Sequence, residues 1–384
     1  MNDTTRIHVG LIGCGYISQI SHLPAIKAVP ETTLIATSDI SEDRARQSAE
    51  KWGAKAYYAD HMKMLERDDI DAVVIASPNY LHHKMTIEAA EAGKHVLCEK
   101  PIACTKREAD EMVEACKRAG VKFQVGQNHR FWPQNEIAKQ LIDGGTIGDV
   151  MACRSTFRET WKGYPERIAF TKYRYVPAQA GAFTLMDLAI HRVDLIRWLV
   201  GDVKRVFGVA KHTVIPSEVT ALEDNVWIFC EFENGGYGCV DADRFSVAMS
   251  NATELHGTEG NMYLSSETFN PFQSAPLAIY SEKISELPEI VLKYALLPFW
   301  EKPRPGWITV YPPREDPYIK QLKHFARCIM ENRVPLVSGE EGSKSLEVVL
   351  AVFKSMEKET WVDLPLKGDV IPPGYRPSYE RSSS

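Results

Sequence analysis

The first third of the chain alternates short runs of apolar, β-branched residues with longer segments in which apolar residues recur at helical spacing. The predicted strands are Val9–Ile12, Thr33–Ser38, Ala72–Ser77, His95–Glu99 and Lys122–Val125. The predicted helices are Ile17–Val29, Glu42–Trp52, Leu81–Ala92 and Lys106–Ala119. Strands that are apolar throughout and alternate with helices are typical of a parallel sheet that is covered on both faces. We therefore predict a doubly wound α/β domain over residues 1–127.

After residue 127 the pattern changes, because strands begin to follow one another without intervening helices. A helix at Ile137–Ile142, a strand at Val150–Phe157 and a long helix at Leu185–Leu199 come first. The later strands are predicted at Val203–Thr213, Val226–Phe232, Gly238–Phe245, Thr253–His256 and Met262–Leu264. Successive strands indicate that residues 128–384 form an α+β domain with a large, mostly antiparallel open sheet. Residues 270–317 are proline-rich and favour a long insertion, and helices at Tyr318–Met330 and Ser343–Lys358 are expected to pack back on the fold.

The composition limits the class of protein. With 384 residues, of which 44% are hydrophobic and 25% charged, the chain is long enough for two or three globular domains. The net charge of −6 and the absence of a Lys/Arg run argue against nucleic-acid and membrane partners, and no apolar stretch is long enough to span a bilayer. The eight cysteines have no CxxC spacing and are interpreted as reduced thiols. We therefore expect a cytoplasmic protein.

A pair of glycines directly follows the first predicted strand. Gly13 would permit the tight turn into the next helix, and Gly15 would let the backbone approach a pyrophosphate at the positive end of that helix, beside Tyr16 and Ile17. Ser18 stands at the third small position of this motif. The arrangement favours a Rossmann domain that binds a dinucleotide, although any tight turn from strand to helix can use glycines.

Asp39 ends the second predicted strand, where an acidic residue would receive the ribose hydroxyls of an adenosine. A carboxylate here favours NAD, because it would repel the 2′-phosphate of NADP. Asp39 could instead cap the helix that follows, and the nearby Arg44 keeps NADP possible as the less favoured cofactor.

Polar residues also follow two further strands, at the edge where an open parallel sheet binds its ligand. Ser77, Asn79 and His82 are candidate cofactor contacts, although a Pro-Asn turn with an incidental histidine explains this segment equally well by itself. Glu99 and Lys100 end the next strand. The ammonium of Lys100 could stabilise a developing alkoxide in the crevice, or could lie in a solvated loop.

Asp187 and His191 are four residues apart on a largely apolar predicted helix, so they share one face, and Asp194 continues that stripe. An Asp/His pair in a cleft is a plausible acid/base unit, whereas the bland alternative is an ordinary hydrogen bond within a helix. The spacing is not specific for a metal, and neither an HExxH motif nor a cysteine cluster accompanies it. We therefore predict no metal site.

Taken together, these segments resemble the Gfo/Idh/MocA family of NAD(P)-dependent oxidoreductases, named after glucose–fructose oxidoreductase, inositol dehydrogenase and a rhizopine catabolism protein. The resemblance covers most of the chain and is carried by GCGYIS at 13–18, SPNYLHH at 77–83, AGKHVLCEKPIA at 92–103, VGQNHRFWP at 125–133 and GAFTLMDLAIHRVDLIRWLVG at 181–201. The EKP sequence together with the later Asp187 and His191 is more specific than the glycines.

The resemblance implies a role for each matching residue. Lys100 would contact the nicotinamide and the reacting hydroxyl, Asp187 would orient that hydroxyl, and His191 would be the general acid/base. Gln127 and Glu99 are expected at the cofactor, and Arg130 at the substrate. The implied reaction is hydride transfer between nicotinamide and a secondary hydroxyl of a sugar, sugar derivative or cyclitol. A homodimer or homotetramer through the C-terminal sheet is implied as well.

A polar and aromatic stretch from Arg154 to Tyr175 offers further candidate substrate contacts. Arg158, Trp161, Lys162 and Tyr173 could recognise an acidic or heavily hydroxylated sugar, or could belong to a solvated loop that faces a partner subunit. Two other functions remain open from the sequence. One is an NAD-dependent, redox-assisted glycoside hydrolase, and the other is a non-catalytic sugar- or nucleotide-sensing regulator.

Overall fold

The computed structural model describes residues 6–161, 172–247, 251–265, 275–283, 287–296 and 306–381. Six strands form a first sheet: β1 (Ile7–Ile12), β2 (Thr32–Ser38), β3 (Ala56–Tyr58), β4 (Ala72–Ile75), β5 (His95–Glu99) and β6 (Phe123–Gly126). All are parallel, in the order β3-β2-β1-β4-β5-β6. The chain order reverses between β1 and β4, so a ligand crevice is expected at the carboxyl ends of these strands. The predicted Rossmann sheet is confirmed, with β3 as an edge strand that the prediction missed.

Helices connect these strands. They are Leu23–Ala28, preceded by a π-helical turn at Ser18–His22, and then Glu42–Trp52, His61–Leu65, Asn79–Glu91 and Lys106–Arg118. Three of them begin at side-chain caps: Ser41 accepts from the backbone N–H of Arg44, Asp60 accepts from that of Met62, and Thr105 forms a capping box with Glu108. The helix Glu42–Trp52 has the predicted bounds, and the helix Lys106–Arg118 ends one residue before the predicted Ala119.

Ten strands form a second sheet. They are β7 (Val150–Arg158), β8 (Val203–Lys211), β9 (Asn225–Phe232), β10 (Tyr237–Asp243), β11 (Ala252–Gly257), β12 (Gly260–Ser265), β13 (Leu277–Ser281), β14 (Ala295–Leu296), β15 (Gly306–Val310) and β16 (Val362–Asp363). Their order is β14-β15-β13-β12-β11-β7-β10-β9-β8-β16. Every described pair is antiparallel except β7 with β10. The predicted large, mostly antiparallel sheet is confirmed.

The prediction of a long insertion at 270–317 is wrong for the described part of that segment. There β13, β14 and β15 extend the second sheet, and β13 pairs along its whole length with both β12 and β15. These strands are short and separated by prolines, so their alternation of buried and half-exposed residues is too brief to stand out in the sequence.

Helices of the second half join the two sheets. They are Pro133–Asp143, Pro177–Ala180, Ile190–Val200 (preceded by a π-helical turn at Leu185–Ala189), Glu289–Tyr294, Pro317–Met330, Gly339–Lys358 and Ser378–Arg381. Helix Pro317–Met330 buries Leu322 and Phe325 in one apolar cluster with residues of β1. Helix Gly339–Lys358 packs closely against β6: a Cβ at Gly342 would lie only 2.6 Å from the Val125 side chain, so a larger residue would not fit there. Among the described residues, no helix is long and apolar enough to cross a membrane.

Candidate active site

A cavity of about 880 Å³ lies at the carboxyl ends of β1, β2, β4 and β5 and reaches the second half of the chain. Eleven of the residues singled out in the sequence line it: Gly13, Gly15, Tyr16, Ile17, Asp39, Ser77, Glu99, Lys100, Tyr173, Asp187 and His191. The structure therefore brings the glycine motif, the end of β5 and the Asp/His helix to one site. The cavity volume is in the range of ligand sites that enclose a small molecule or cofactor.

The glycine motif has two different physical requirements. Gly13 has a φ of 92°, and a Cβ there would meet the carbonyl oxygen of Ala76 at 2.6 Å, so this position is closed to any larger residue. Gly15 has nothing within 4 Å of its ideal Cβ, so the surface there is open to a ligand. The hydroxyl of Ser18 donates to the carbonyl oxygen of Gly13, which explains how serine serves at the third position. This cradle fits a dinucleotide phosphate.

Asp39 lies beside this cradle with its carboxylate held in place. Its oxygens accept from the backbone N–H groups of Cys14 (2.9 Å) and Ser41 (2.8 Å) and from Nη2 of Arg44 (2.8 Å). The cap of helix Glu42–Trp52 is Ser41, not Asp39. Arg44, the group that would attract a 2′-phosphate, is thus paired with a carboxylate that would repel one. This pairing fits NAD.

Lys100 and Asp187 meet at the other end of the cavity. Lys100 Nζ is 2.6 Å from Oδ1 of Asp187 and 2.7 Å from its carbonyl oxygen. The other carboxylate oxygen, Oδ2, accepts from Nη1 of Arg174 at 2.9 Å and contacts the guanidinium of Arg244. Arg244 also pairs with Glu159 at 2.5 Å. Three cationic side chains therefore fix Asp187, which lies in the π-helical turn Leu185–Ala189.

His191 lies one helical turn beyond Asp187, with 7% of its surface exposed. Its Nδ1 has no hydrogen-bond partner among the described residues, and its ring stacks on that of His129 with centroids 4.2 Å apart. Burial holds the pKa of His191 well below its ordinary value, and the neighbouring Lys100 and Arg192 lower the pKa further. The imidazole is therefore neutral at pH 7 and able to accept a proton.

Three predicted cofactor residues do not line the cavity. The amide of Asn79 donates to the carbonyl oxygen of Ala180. The ring nitrogens of His82 lie 2.8 Å from the carbonyl oxygen of Pro101 and 3.0 Å from that of Ser77, and the side chain is 1% exposed. Gln127 is also buried, at 1% exposure. Asn79 and His82, both on helix Asn79–Glu91, thus hold neighbouring backbone through these bonds, whereas Gln127 follows β6 and both polar atoms of its side chain lack a hydrogen-bond partner among the described residues.

Most of the residues predicted to contact the substrate have other partners in the structure. Arg130 is buried in an ion pair with Asp194, at 2.8 Å. Arg158 pairs with Asp241 and Asp243 across the second sheet. Trp161 packs in a small apolar cluster, and Lys162 lies outside the described residues. Charged partners supplied by distant strands and helices hold these arginines, and a sequence pattern does not reveal such partners.

Other cavity residues were not among the predicted site residues. His129, Phe157, Glu159, Arg174, Asn251 and Tyr318 line it as well. His129 follows the end of β6 within VGQNHRFWP, and Arg174 belongs to the polar and aromatic stretch before residue 175. Position after a strand of the parallel sheet was therefore a usable signal for His129, whereas Tyr318 enters the site only through the packing of a late helix.

Two family models match the chain. Residues 7–127 match the oxidoreductase family with an NAD-binding Rossmann fold, and residues 136–263 match the GFO/IDH/MocA C-terminal domain. Levoglucosan dehydrogenase of Pseudarthrobacter phenanthrenivorans is 28% identical, covering 94% of this chain and 98% of that protein. Myo-inositol 2-dehydrogenase of Thermotoga maritima is 29% identical, covering 93% and 98%. A structure of levoglucosan dehydrogenase in complex with NADH superposes with a TM-score of 0.81, at 26% identity and covering 94% of this chain and 100% of that one. Both halves of this chain, with the glycine cradle in the first and the Asp/His helix in the second, thus belong to the GFO/IDH/MocA family of NAD-binding oxidoreductases.

Proposed function

We propose that this protein is an NAD-dependent dehydrogenase that oxidises a secondary hydroxyl of a sugar, sugar derivative or cyclitol, with Lys100, Asp187 and His191 as its catalytic residues. The observation that carries the proposal is the convergence of these three side chains in the cavity that also contains the glycine cradle. Relatives named as levoglucosan and inositol dehydrogenases support the substrate class.

The chain's own groups supply position and proton transfer. Bound NAD would supply the hydride acceptor. His191, neutral because it is buried among cations, would take the proton of the substrate hydroxyl as general base. Lys100 would offset the negative charge that develops on that oxygen, in a site where few waters compete with it. Asp187 would fix both the ammonium and the incoming hydroxyl, because its carboxylate is itself immobilised by Arg174 and Arg244.

Substrate selection is proposed for the side chains between the catalytic groups and the second sheet. Tyr173, Phe157 and Asn251 offer aromatic faces and an amide to a ring that carries hydroxyls. Of the arginines in the stretch from Arg154 to Tyr175, Arg174 lines the cavity, whereas Arg158 pairs with Asp241.

We further propose a homodimer or homotetramer that forms through the second sheet. Trp227 and Phe229 on β9 and Tyr237 on β10 are 39%, 40% and 53% exposed. Aromatic side chains that remain exposed together on a sheet face are typical of an interface. Light scattering of the purified protein, with Trp227→Asp as the disruptive variant, tests this assembly.

The proposed function is tested by incubating the full-length protein with sugars, cyclitols, sugar acids and glycosides, separately with NAD and NADP. Formation of the reduced cofactor and the identity of the product are both measured. Net NADH with a keto product supports the dehydrogenase. Cleavage of a glycoside without net NADH would instead establish the redox-assisted hydrolase. His191→Asn, which removes the base, and the exposed Lys117→Ala are the paired loss and control variants.

A further inference from the structure

His129 lies in the cavity although nothing in the proposed chemistry requires a second histidine. It stands on the 3₁₀ turn Asn128–Phe131, directly after β6, and is 7% exposed. Its ring is almost parallel to that of His191, with an interplanar angle of 14° and centroids 4.2 Å apart. Phe157 flanks both rings, at 5.4 Å from His129 and 5.9 Å from His191. The three rings form one aromatic group, in which both histidines are buried and Phe157 is half-buried.

We propose that His129 is a positioning residue for His191: its ring fixes the orientation of the neighbouring imidazole and occupies the space from which water would otherwise reach it. The inference rests on the proposed function only in that it assigns the acceptor role to His191. Because the two rings are stacked face to face, their nitrogens do not point at each other, and His129 acts without receiving the proton itself.

The backbone of His129 is held by a hydrogen bond, whereas Nδ1 of its ring is not. The amide of Asn135 donates to the carbonyl oxygen of His129 at 2.8 Å, whereas Nδ1 of the ring has no hydrogen-bond partner among the described residues. A histidine retained only to satisfy the core would be expected to bond through its ring nitrogens. The contact that His129 makes with His191 is therefore the stacking of its ring face.

The charged groups that face the pair come from several elements. Lys100 follows β5, Arg174 lies in the 3₁₀ turn Lys172–Tyr175, and Arg192 lies on the same helix as His191. The carboxylate of Asp187, which also lines the cavity, is held by Lys100, Arg174 and Arg244. Burial and these cations hold the pKa of both histidines well below the ordinary value. Neither ring is protonated at neutral pH, so His129 can stack on His191 without charge repulsion.

The test compares His129→Phe, which keeps an aromatic ring, with His129→Gln, which keeps polarity but has no ring. The readout is the titration of the His191 imidazole, followed by long-range ¹H–¹⁵N NMR in the unliganded full-length protein. We expect the midpoint of His191 to rise by about one pH unit toward its ordinary value in His129→Gln and to stay near that of the wild type in His129→Phe.

Turnover should also distinguish His129→Gln from His129→Phe. The acid limb of the kcat profile should move to higher pH in His129→Gln, and kcat should fall about 10- to 100-fold through misplacement of the base while the affinity for NAD is retained. Equal titration midpoints for the Gln and Phe variants would overturn the proposal. Because the NMR titration needs no turnover, it remains decisive even if no sugar is oxidised, an outcome that would count against the proposed function alone. If His129→Gln does not fold, His129→Leu provides the variant without a ring.

Discussion

Lys100 and Asp187 form an ion pair between the two halves of the chain, with Nζ of the lysine 2.6 Å from Oδ1 of the aspartate. Lys100 follows the last residue of β5, and Asp187 lies in the π-helical turn that precedes helix Ile190–Val200. Each side chain is only 9% exposed. The pair is therefore assembled before any substrate enters, and a substrate hydroxyl would meet a charge arrangement that needs no rearrangement to act on it.

Replacing Lys100 with alanine is expected to lower kcat by at least about 100-fold, because the developing alkoxide loses its counter-charge. The affinity for NAD should change only a few-fold, since the glycine cradle and Asp39 lie at the other end of the cavity. Initial rates and a fluorescence titration with NADH measure the two quantities, with Lys117→Ala as control. Turnover within a few-fold of the wild type would contradict the role of Lys100.

Asp39→Ala should weaken the binding of NAD more than the binding of NADP. The substitution removes the carboxylate that would accept ribose hydroxyls, and it releases Arg44, whose guanidinium is bound to Asp39 through both Nε and Nη2. A free Arg44 then favours a 2′-phosphate. Dissociation constants for both cofactors, measured by calorimetry, test this shift in preference. An equal loss of affinity for NAD and NADP would mean that Asp39 only holds the loop, through the backbone N–H groups of Cys14 and Ser41.

Glu223 makes stability depend on pH. Its Oε1 accepts from the backbone N–H groups of Phe183 and Leu185, each at 2.9 Å, at the start of the turn that contains Asp187. Burial raises the pKa of Glu223 to about 7, against an ordinary value of 4.5. Between pH 4.5 and about 7 the folded state keeps a proton on Glu223 that the unfolded state has released. The contribution of protonated Glu223 to the free energy of unfolding is therefore full below pH 4.5 and is lost as the pH rises through about 7.

Glu223→Gln keeps an oxygen for both backbone donors and removes the buried charge. We expect little effect on the free energy of unfolding at pH 5 and a gain of about 1–3 kcal/mol at pH 8. Urea denaturation at the two pH values measures this difference, and the exposed Glu357→Gln serves as control. A loss of stability at pH 8 would show that the ionised carboxylate is better accommodated than its burial indicates.

Arg130 should contribute to stability and not to substrate affinity. Arg130→Met leaves Asp194 buried without its main counter-charge and is expected to cost about 3–5 kcal/mol, whereas the double variant Arg130→Met/Asp194→Leu should recover most of that loss. The KM of the folded protein for its sugar should stay within a few-fold of the wild type. A large rise in KM at unchanged stability would restore the substrate contact expected from the sequence.

Local signals account for the parts of the fold that were readable in the sequence. The strand His95–Glu99 and the helix Glu42–Trp52 have their predicted bounds, because a short apolar run and apolar residues at helical spacing are both local signals. Strand Ala56–Tyr58 was missed because three residues at a sheet edge give no periodicity. The two π-helical turns are also invisible in a helical pattern.

Local signals also account for only part of the candidate site. Gly13, Asp39, Lys100, Asp187 and His191 were found because each follows a strand or shares a helix face with another candidate. Arg174 and Arg244 could not be assigned, because their role comes from convergence on Asp187 out of segments far apart in the chain. Arg130 was placed at the substrate because its motif matched the family, whereas in the structure it pairs with Asp194, from a helix more than sixty residues later.

The packing of helix Pro317–Met330 against β1 has a consequence during synthesis of the protein. Leu322, Phe325 and Ala326 complete the apolar cluster that β1 and helix Leu23–Ala28 begin, so the nucleotide-binding sheet leaves the ribosome with one face incompletely covered. That face stays incomplete until most of the chain has been translated, which favours chaperone binding to the nascent first half. A fragment that ends after β6 would expose the same surface and is expected to aggregate when expressed alone.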